Sequence, residues 1–307
     1  IYKMKNNLNI FTEGYAHNKN IDIFYRDYGP IEAKPILLVQ GLGGQLTYWP
    51  DHLLEFLIEN NYRPIVYDNR DVGKSSRMSS TPVTWINYLK YFARIPIKSE
   101  YLIDDMASDA IAVLDHLEIF ETHLLGLSMG GMIAQIVASN YGDRISSYTQ
   151  ISSTPYTPSP WNGPSREVRK LLMSRSKAYK ESIDERINRT VKVVSKIGLK
   201  DYEFNTPEFQ KELFDNFKRG GDDRGFGRHI AAILASKDRL DKVSNINVPT
   251  LIIHGEDDPL IRVKNAKASH RLIKNSKLKI IPKMRHLIEP PVFDKFKLDL
   301  LKHLHST

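Results

Sequence analysis

Short apolar runs alternate along this chain with longer segments of helical periodicity. Of all the sequence features, this alternation restricts the possible folds most strongly. Seven runs have the length and the flanking turn residues of strands, and they lie at 21–29, 35–41, 63–69, 122–128, 145–153, 249–255 and 276–282. Helical patterns are predicted at 48–61, 103–119, 129–142, 263–275 and 291–304. The sequence therefore predicts an α/β protein, with a mostly parallel sheet covered by helices on both faces.

One long segment interrupts that rhythm between two predicted strands. It opens with "PYTPSPWNGP", which is too rich in proline for a strand or a helix, and continues with charged helical stretches. We predict that residues 155–235 form a helical cap over an edge of the sheet. The remaining residues, 1–154 and 236–307, then form one core domain.

Charge and composition exclude several partners. The net charge of +8 falls mostly within 155–240, where the basic residues are interleaved with acidic ones, so we expect a solvated face and no nucleic acid. No stretch has the ~18 uncharged apolar residues of a membrane span, and the first residues lack an apolar signal-peptide core. The chain has no cysteine, and we expect a cytoplasmic protein. No spacing of histidine or acidic residues resembles a metal site, and we expect neither metal nor cofactor. For the oligomeric state we expect a monomer or a homodimer.

A serine stands between glycines at the point where an apolar run changes its period. In "HLLGLSMGGMIAQIVA" the pattern Gly126-x-Ser128-x-Gly130 follows a strand pattern and opens a helix pattern. Glycines two before and two after the serine let a strand turn sharply into a helix, and the serine then lies at the apex. The spacing predicts that Ser128 is a nucleophile, on a turn called a nucleophile elbow.

A nucleophilic serine needs a base and an acid to orient that base, and on this fold they follow it in the order acid, then histidine. "TLIIHGEDDPLI" offers three carboxylates after a late strand; we assign the acid to Asp258, with Asp257 and Glu256 as alternatives. "LKIIPKMRHLIEPP" supplies His286 after the last strand. The predicted catalytic residues are thus Ser128, Asp258 and His286.

Acyl transfer also needs N–H donors for the oxyanion of the tetrahedral intermediate. We assign these to the backbone of Met129, directly after the serine, and of Leu42 in the glycine-rich "VQGLGGQ". Gly41 and Gly43 of that loop are predicted to contact substrate, because they leave the backbone open to a ligand. Trp161 and Tyr156 are candidate pocket residues, with packing an equal alternative. Neither "GLGG" nor "NRDVGKSS" completes a dinucleotide or phosphate-loop motif.

These motifs together resemble the α/β-hydrolase family over nearly the whole chain. They are "VQGLGG", "YDNRDVGKSS", "GLSMGG", "IIHGEDDP" and "MRH", and they look most like a bacterial subgroup of carboxylesterases that includes the aclacinomycin methylesterases. The resemblance implies an eight-stranded, mostly parallel sheet and a cap after the sixth strand. Gln40 is a departure, since many members carry histidine there.

The sequence thus predicts a serine carboxylesterase that hydrolyses small carboxylic esters through an acyl-enzyme. Other chemistry by the same three residues stays open, namely perhydrolase, C–C or amide hydrolase, or acyltransferase activity. A receptor that retains the site only to bind a ligand is the alternative that is not an enzyme.

Overall fold

The computed structural model describes residues 8, 10–80, 87, 90, 91, 93, 95–159, 162–174, 181–220 and 224–307. Within these ranges it contains one eight-stranded sheet, whose strands are β1 (Phe11–Asn18), β2 (Ile21–Tyr28), β3 (Lys34–Val39), β4 (Tyr62–Tyr67), β5 (Thr122–Leu127), β6 (Ile145–Ile151), β7 (Thr250–Gly255) and β8 (Ser276–Ile281). The strand order is β1-β2-β4-β3-β5-β6-β7-β8. β1 and β2 are antiparallel to their neighbours and the other five pairings are parallel. The predicted eight-stranded, mostly parallel sheet is confirmed.

The sequence pattern predicts no strand at β1, because few residues of this strand are buried. Only Ala16 of its eight residues is buried, so β1 lacks the apolar run that marks the inner strands. β4, β5 and β7 are buried at every position. A mostly exposed edge strand leaves little hydrophobic signal in a sequence.

Helices follow the strands as the periodicity predicts. Within the described ranges they are α1 (Asp51–Glu59), α2 (Ile103–His116), α3 (Met129–Asn140), α4 (Arg166–Ser174), α5 (Ile183–Ile197), α6 (Pro207–Gly220), α7 (Arg224–Ala235), α8 (Leu240–Ser244), α9 (Lys264–Leu272), α10 (Pro290–Phe293) and α11 (Lys297–His305), with 3-10 turns at Leu46–Tyr48 and Gly142–Arg144. The closing helix predicted over 291–304 is two helices. The break between α10 and α11 lets Phe293 and Phe296 both pack in the core, with ring centroids 5.4 Å apart.

Hydrophobic clusters lie on both faces of the sheet. Leu37 and Val39 of β3 belong to the cluster under α2 and α3, whereas Ile36 and Leu38 belong to the cluster under α1, α10 and α11. Adjacent residues of one strand point to opposite faces, so both faces of β3 are covered. The prediction of helices on both faces is confirmed.

The segment between β6 and β7 carries α4 to α7. α5 begins with a capping box, in which Ser182 and Glu185 satisfy each other's backbone N–H groups. Ile187, Leu213 and Phe217 pack α5 against α6. The last helix differs, because Ala232 and Ile233 of α7 belong to the main core cluster. The division into a core (1–154 and 236–307) and a cap (155–235) stays a prediction; we call 155–235 the insertion below.

None of the helices in the described ranges has both the length and the apolar character to cross a bilayer. In the same part of the chain, no three histidine or acidic side chains converge where they could hold a metal ion.

Because two histidines are buried, we expect the protein to lose stability in mild acid. His123 on β5 lies 2.8 Å from the Ser147 hydroxyl, and the His303 ring on α11 donates a hydrogen bond of 3.2 Å to the Tyr148 carbonyl. Burial lowers the pKa of each ring to about 4, against ~6.5 in an unfolded chain. Between these pKa values the unfolded chain binds more protons, so the free energy of unfolding falls as pH falls. We expect a loss of about 2 kcal/mol per histidine from pH 7 to pH 5.

His303→Gln tests this expectation, because glutamine can still donate to the Tyr148 carbonyl but does not titrate. Urea unfolding at pH 7 and pH 5 should show that the variant loses about 2 kcal/mol less than wild type over this interval. Lys302→Gln, an exposed neighbour on α11, is the control and should keep the wild-type difference. An unchanged difference in His303→Gln would contradict the assignment.

Candidate active site

Ser128 lies at the junction of β5 and α3 in a strained backbone conformation. Its φ is +56° and its ψ is −118°, a region that residues other than glycine rarely occupy. The Ser128 N–H donates to the Ile151 carbonyl at 2.9 Å, and the Ser128 carbonyl accepts a 2.7 Å hydrogen bond from the Ser153 hydroxyl. β6 and the loop after it therefore hold the serine in this conformation, and the sharp turn predicted from the sequence is present.

The glycines around the serine are required by close backbone contacts. A Cβ on Gly126 would lie 2.5 Å from the Gly130 carbonyl oxygen. A Cβ on Gly130 would lie 1.8 Å from the Val39 carbonyl oxygen. Any side chain at either position would push α3 away from β5 and β3, which explains the Gly-x-Ser-x-Gly spacing.

Ser128, His286 and Asp258 form one hydrogen-bonded series. The Ser128 Oγ lies 3.0 Å from the His286 Nε2, and the His286 Nδ1 lies 2.7 Å from the Asp258 Oδ2. The three residues follow β5, β8 and β7 respectively, and each is at most 9% exposed. The carboxyl ends of parallel strands thus bring together three residues that are far apart in the chain. With Nδ1 protonated, the ring donates to the carboxylate and its Nε2 can accept the serine proton.

The Asp258 carboxylate is oriented by its own loop. Its Oδ1 accepts the backbone N–H groups of Leu260 and Ile261 at 2.8 and 2.9 Å, which leaves Oδ2 for His286. Glu256 and Asp257, the alternatives from the sequence, are both exposed. The structure therefore places Asp258, and neither alternative, beside the imidazole.

A second histidine lies close to the same carboxylate. The His254 Nε2 is 3.5 Å from the Asp258 Oδ2 but donates a shorter hydrogen bond, 2.7 Å, to the Ile261 carbonyl. Burial lowers the pKa of His254, which keeps this ring neutral. The Asp258 charge is therefore available to His286.

The glycine-rich loop after β3 passes directly against the serine. A Cβ on Gly41 would lie 3.2 Å from the Ser128 Cβ. The Gln40 side chain accepts the Gly41 N–H at 2.7 Å through Oε1, and its backbone carbonyl accepts from Asn69 at 3.0 Å. Gln40, the departure noted in the sequence, thus fixes the backbone of the loop.

His229 is a residue of the site that the sequence did not reveal. Its Nδ1 accepts the Gly43 N–H at 3.2 Å, while its Nε2 donates to the Arg70 carbonyl at 2.7 Å. The ring is fully buried and burial lowers its pKa, so it is neutral with the proton on Nε2. His229 lies in the middle of α7, far from every motif, and no sequence pattern connected it with the loop after β3.

An apolar cavity of about 140 Å³ adjoins the serine. Ser128, Leu42 and Met129 line it, together with aliphatic residues of the insertion such as Leu172 and Ile230. The proposed oxyanion donors therefore share one cavity with the nucleophile.

The other residues predicted to contact substrate are not found among the described residues that line the cavity. Gly41 and Gly43 are not among the described residues that line the cavity, although Gly41 touches the serine. Tyr156 is half-buried and is not among them either. Trp161 lies outside the described residues. The substrate contacts of Gly41, Gly43 and Trp161 stay predictions.

The histidine loop is attached to the insertion at two points. The His286 N–H donates to the Ile197 carbonyl at the end of α5, at 2.8 Å. The Glu289 Oε1 accepts the Leu199 N–H at 2.6 Å, and burial raises the pKa of this carboxyl. The imidazole is thus held by the sheet through Asp258 and by the insertion through its own backbone.

Residues 34–288 match the family model of the α/β hydrolase fold. The chain belongs to the α/β hydrolase family. This range extends from β3 through the histidine loop, so it contains the serine, the aspartate and the histidine described above. The family and the fold predicted from the sequence are confirmed, and so is a hydrolase of this family.

Three similar proteins of this family come from bacteria. The chain is 28% identical to a non-heme haloperoxidase of Rhodococcus erythropolis, over 93% of this chain and 96% of that protein. It is also 28% identical to a bifunctional esterase/perhydrolase of Acinetobacter calcoaceticus, over 95% of this α/β hydrolase and all of the relative. A rhodomycin D methylesterase of Streptomyces peucetius is 24% identical, over 94% and 97%. The predicted likeness to bacterial esterases of the methylesterase type is therefore confirmed.

Solved structures show the same architecture. The enol-lactonase of Burkholderia xenovorans LB400 superimposes with a TM-score of 0.72 at 22% identity, over 95% of this α/β hydrolase and the whole of that chain. At this identity the likeness concerns the fold alone.

Proposed function

We propose that this α/β hydrolase is a serine carboxylesterase that hydrolyses small carboxylic esters. The observation that carries the proposal is the hydrogen-bonded series from Ser128 through His286 to Asp258, at 3.0 and 2.7 Å, beside an apolar cavity. A serine hydroxyl becomes a nucleophile when a neutral imidazole can accept its proton and a carboxylate stabilises the resulting cation. The relatives include an esterase/perhydrolase and a methylesterase, which supports the same class of reaction.

Acylation uses His286 first as a base and then as an acid. The Ser128 Oγ attacks the ester carbonyl carbon as its proton passes to the His286 Nε2. The carbonyl π bond opens to an oxyanion, which the N–H groups of Leu42 and Met129 bind. When the intermediate collapses, the bond to the alkoxide leaving group breaks, and the imidazolium returns the proton to that oxygen.

Deacylation repeats the sequence with water. His286 takes a proton from the water, the water oxygen bonds to the acyl carbon, and the bond to the Ser128 Oγ breaks with return of a proton to the serine. The products are a carboxylic acid and the free enzyme, with the alcohol already released. Throughout, Asp258 holds the Nδ1–H tautomer that leaves Nε2 free to exchange protons.

A perhydrolase is the second candidate, and the haloperoxidase and perhydrolase names among the relatives favour it. The same acyl-enzyme attacked by hydrogen peroxide instead of water would release a peracid. The two functions differ only in the acceptor, so a competition between water and peroxide separates them.

The first experiment measures the hydrolysis of p-nitrophenyl esters from acetate to laurate. In the second, the protein is treated with a fluorophosphonate ester and analysed by mass spectrometry. We expect turnover with an optimum chain length set by the apolar cavity, and one phosphonyl group attached to Ser128. Added hydrogen peroxide that diverts the acyl group to peracid would favour the perhydrolase. Absence of both turnover and labelling would refute the esterase and favour a ligand-binding role.

A further inference from the structure

One arginine lies on the wall of the apolar cavity beside Ser128. Arg169 is in the first half of α4, is half-buried, and lines this cavity together with Leu172 of the same helix. Among the described residues that line the cavity, no other carries a charge, and none is an aspartate or glutamate. The wall therefore holds one positive charge among lining residues that are otherwise uncharged and mostly apolar.

The guanidinium of Arg169 has no anionic partner in the part of the chain that the structure describes. Its side chain makes one hydrogen bond there, from Nη2 to the Pro164 carbonyl at 3.2 Å. Two buried arginines of this α/β hydrolase do bind carboxylates: Arg70 lies 2.6 Å from Asp109 and Arg228 lies 2.7 Å from Asp71. Arg169 thus retains N–H donors in the geometry that suits a carboxylate.

A second donor lines the same cavity. The Asn162 Oδ1 accepts the Ser159 N–H at 2.7 Å, which fixes the plane of the amide. Its Nδ2 has no acceptor among the described residues. Two residues that line the cavity, Arg169 and Asn162, therefore retain side-chain N–H groups without an acceptor among the described residues.

We propose that the cavity selects esters that carry a carboxylate, with Arg169 as the residue that determines this specificity. This inference rests on the proposed esterase function. The aliphatic walls take the carbon chain of the substrate, and the guanidinium receives the carboxylate at the far end, assisted by the Asn162 amide. In surroundings of low polarity such a charged hydrogen bond is stronger than in water, and a neutral ester of equal length lacks it. The substrate class is therefore a monoester that also carries a free acid group.

The test compares esters that differ only in the terminal charge. Monomethyl adipate is matched with methyl hexanoate, which places the charge in the acyl half, and 6-acetoxyhexanoate with hexyl acetate, which places it in the alcohol half. Initial rates come from a pH-stat and product chromatography. In at least one pair we expect wild type to favour the charged ester by about 10- to 100-fold in kcat/KM, through a lower KM.

Three variants assign the preference to one side chain. Arg169→Gln should remove it by raising KM for the charged ester about 10- to 100-fold more than KM for the neutral ester. Arg169→Lys should keep part of it, because an ammonium retains the charge without the two-pronged geometry. Lys170→Gln removes the same charge from an exposed neighbour on α4 and should leave the preference intact.

The outcomes separate this inference from the esterase proposal. Equal rates on charged and neutral esters in both pairs, or equal losses on both in Arg169→Gln, would overturn the role of Arg169 while the esterase stands. No hydrolysis of any of the four esters or of the p-nitrophenyl series would refute the esterase itself.

Discussion

Replacing Ser128 by alanine is expected to lower kcat for a p-nitrophenyl ester by about 10⁶-fold, with little change in the melting temperature. The hydroxyl is the group that forms the covalent bond to the acyl carbon, and no other residue of the series can replace it. Alanine fits the same backbone position, since Ser128 already has a Cβ at a φ of +56°. Steady-state kinetics measure the loss, and circular dichroism during heating shows that the variant folds.

Ser146→Ala is the matched control for this prediction. Ser146 lies on β6, and its hydroxyl bonds to the Glu121 carboxylate, away from the cavity. We expect wild-type kinetics from this variant. If Ser128→Ala retained activity comparable to that of Ser146→Ala, another group would be the nucleophile and the proposed mechanism would be wrong.

Asp258→Asn should lower kcat by about 10⁴-fold with a small effect on KM. Two backbone N–H groups, from Leu260 and Ile261, bind the Asp258 Oδ1. The amide of an asparagine would place its oxygen there and direct its NH2 toward the His286 Nδ1. The imidazole would then accept at Nδ1 and carry its proton on Nε2, the atom that must receive the serine proton. The variant therefore holds the imidazole in place in the wrong tautomer.

Asp257→Asn provides the comparison, because it makes the same chemical change at the exposed neighbouring carboxylate. Its kcat on a p-nitrophenyl ester should stay within about twofold of wild type. A large loss in Asp257→Asn together with near-normal turnover in Asp258→Asn would mean that the acid had been assigned to the wrong residue.

The inner sheet and the three residues at its carboxyl edge could be predicted from the sequence because their signals are local. Continuous apolar runs mark buried strands, and the glycine spacing around Ser128 records contacts within a few residues of the turn. Asp258 and His286 follow from the strands that precede them. β1 has no such signal, since its burial is confined to Ala16.

Contacts between distant segments could not be predicted from the sequence, because they leave no local pattern. His229 supports the loop after β3 from a helix almost 190 residues further along the chain, and its helix pattern shows only an amphipathic segment. Arg169 belongs to a charged helix whose composition indicates a solvated face, yet the fold places it on the cavity wall. Such roles depend on how the insertion packs on the sheet, which no single-sequence pattern contains.

The histidine loop is attached to the insertion, so the segment that lines the cavity also contacts the loop that carries the base. Because the His286 N–H donates to the Ile197 carbonyl, a movement of α5 away from the sheet would break this hydrogen bond and leave Asp258 to hold the imidazole. The position of the base would therefore be less firmly fixed whenever α5 moved. An insertion grafted from a relative would keep this hydrogen bond only if it placed the backbone carbonyl of residue 197 within reach of the His286 N–H. In this α/β hydrolase, the segment that supplies part of the cavity wall also anchors the backbone of His286.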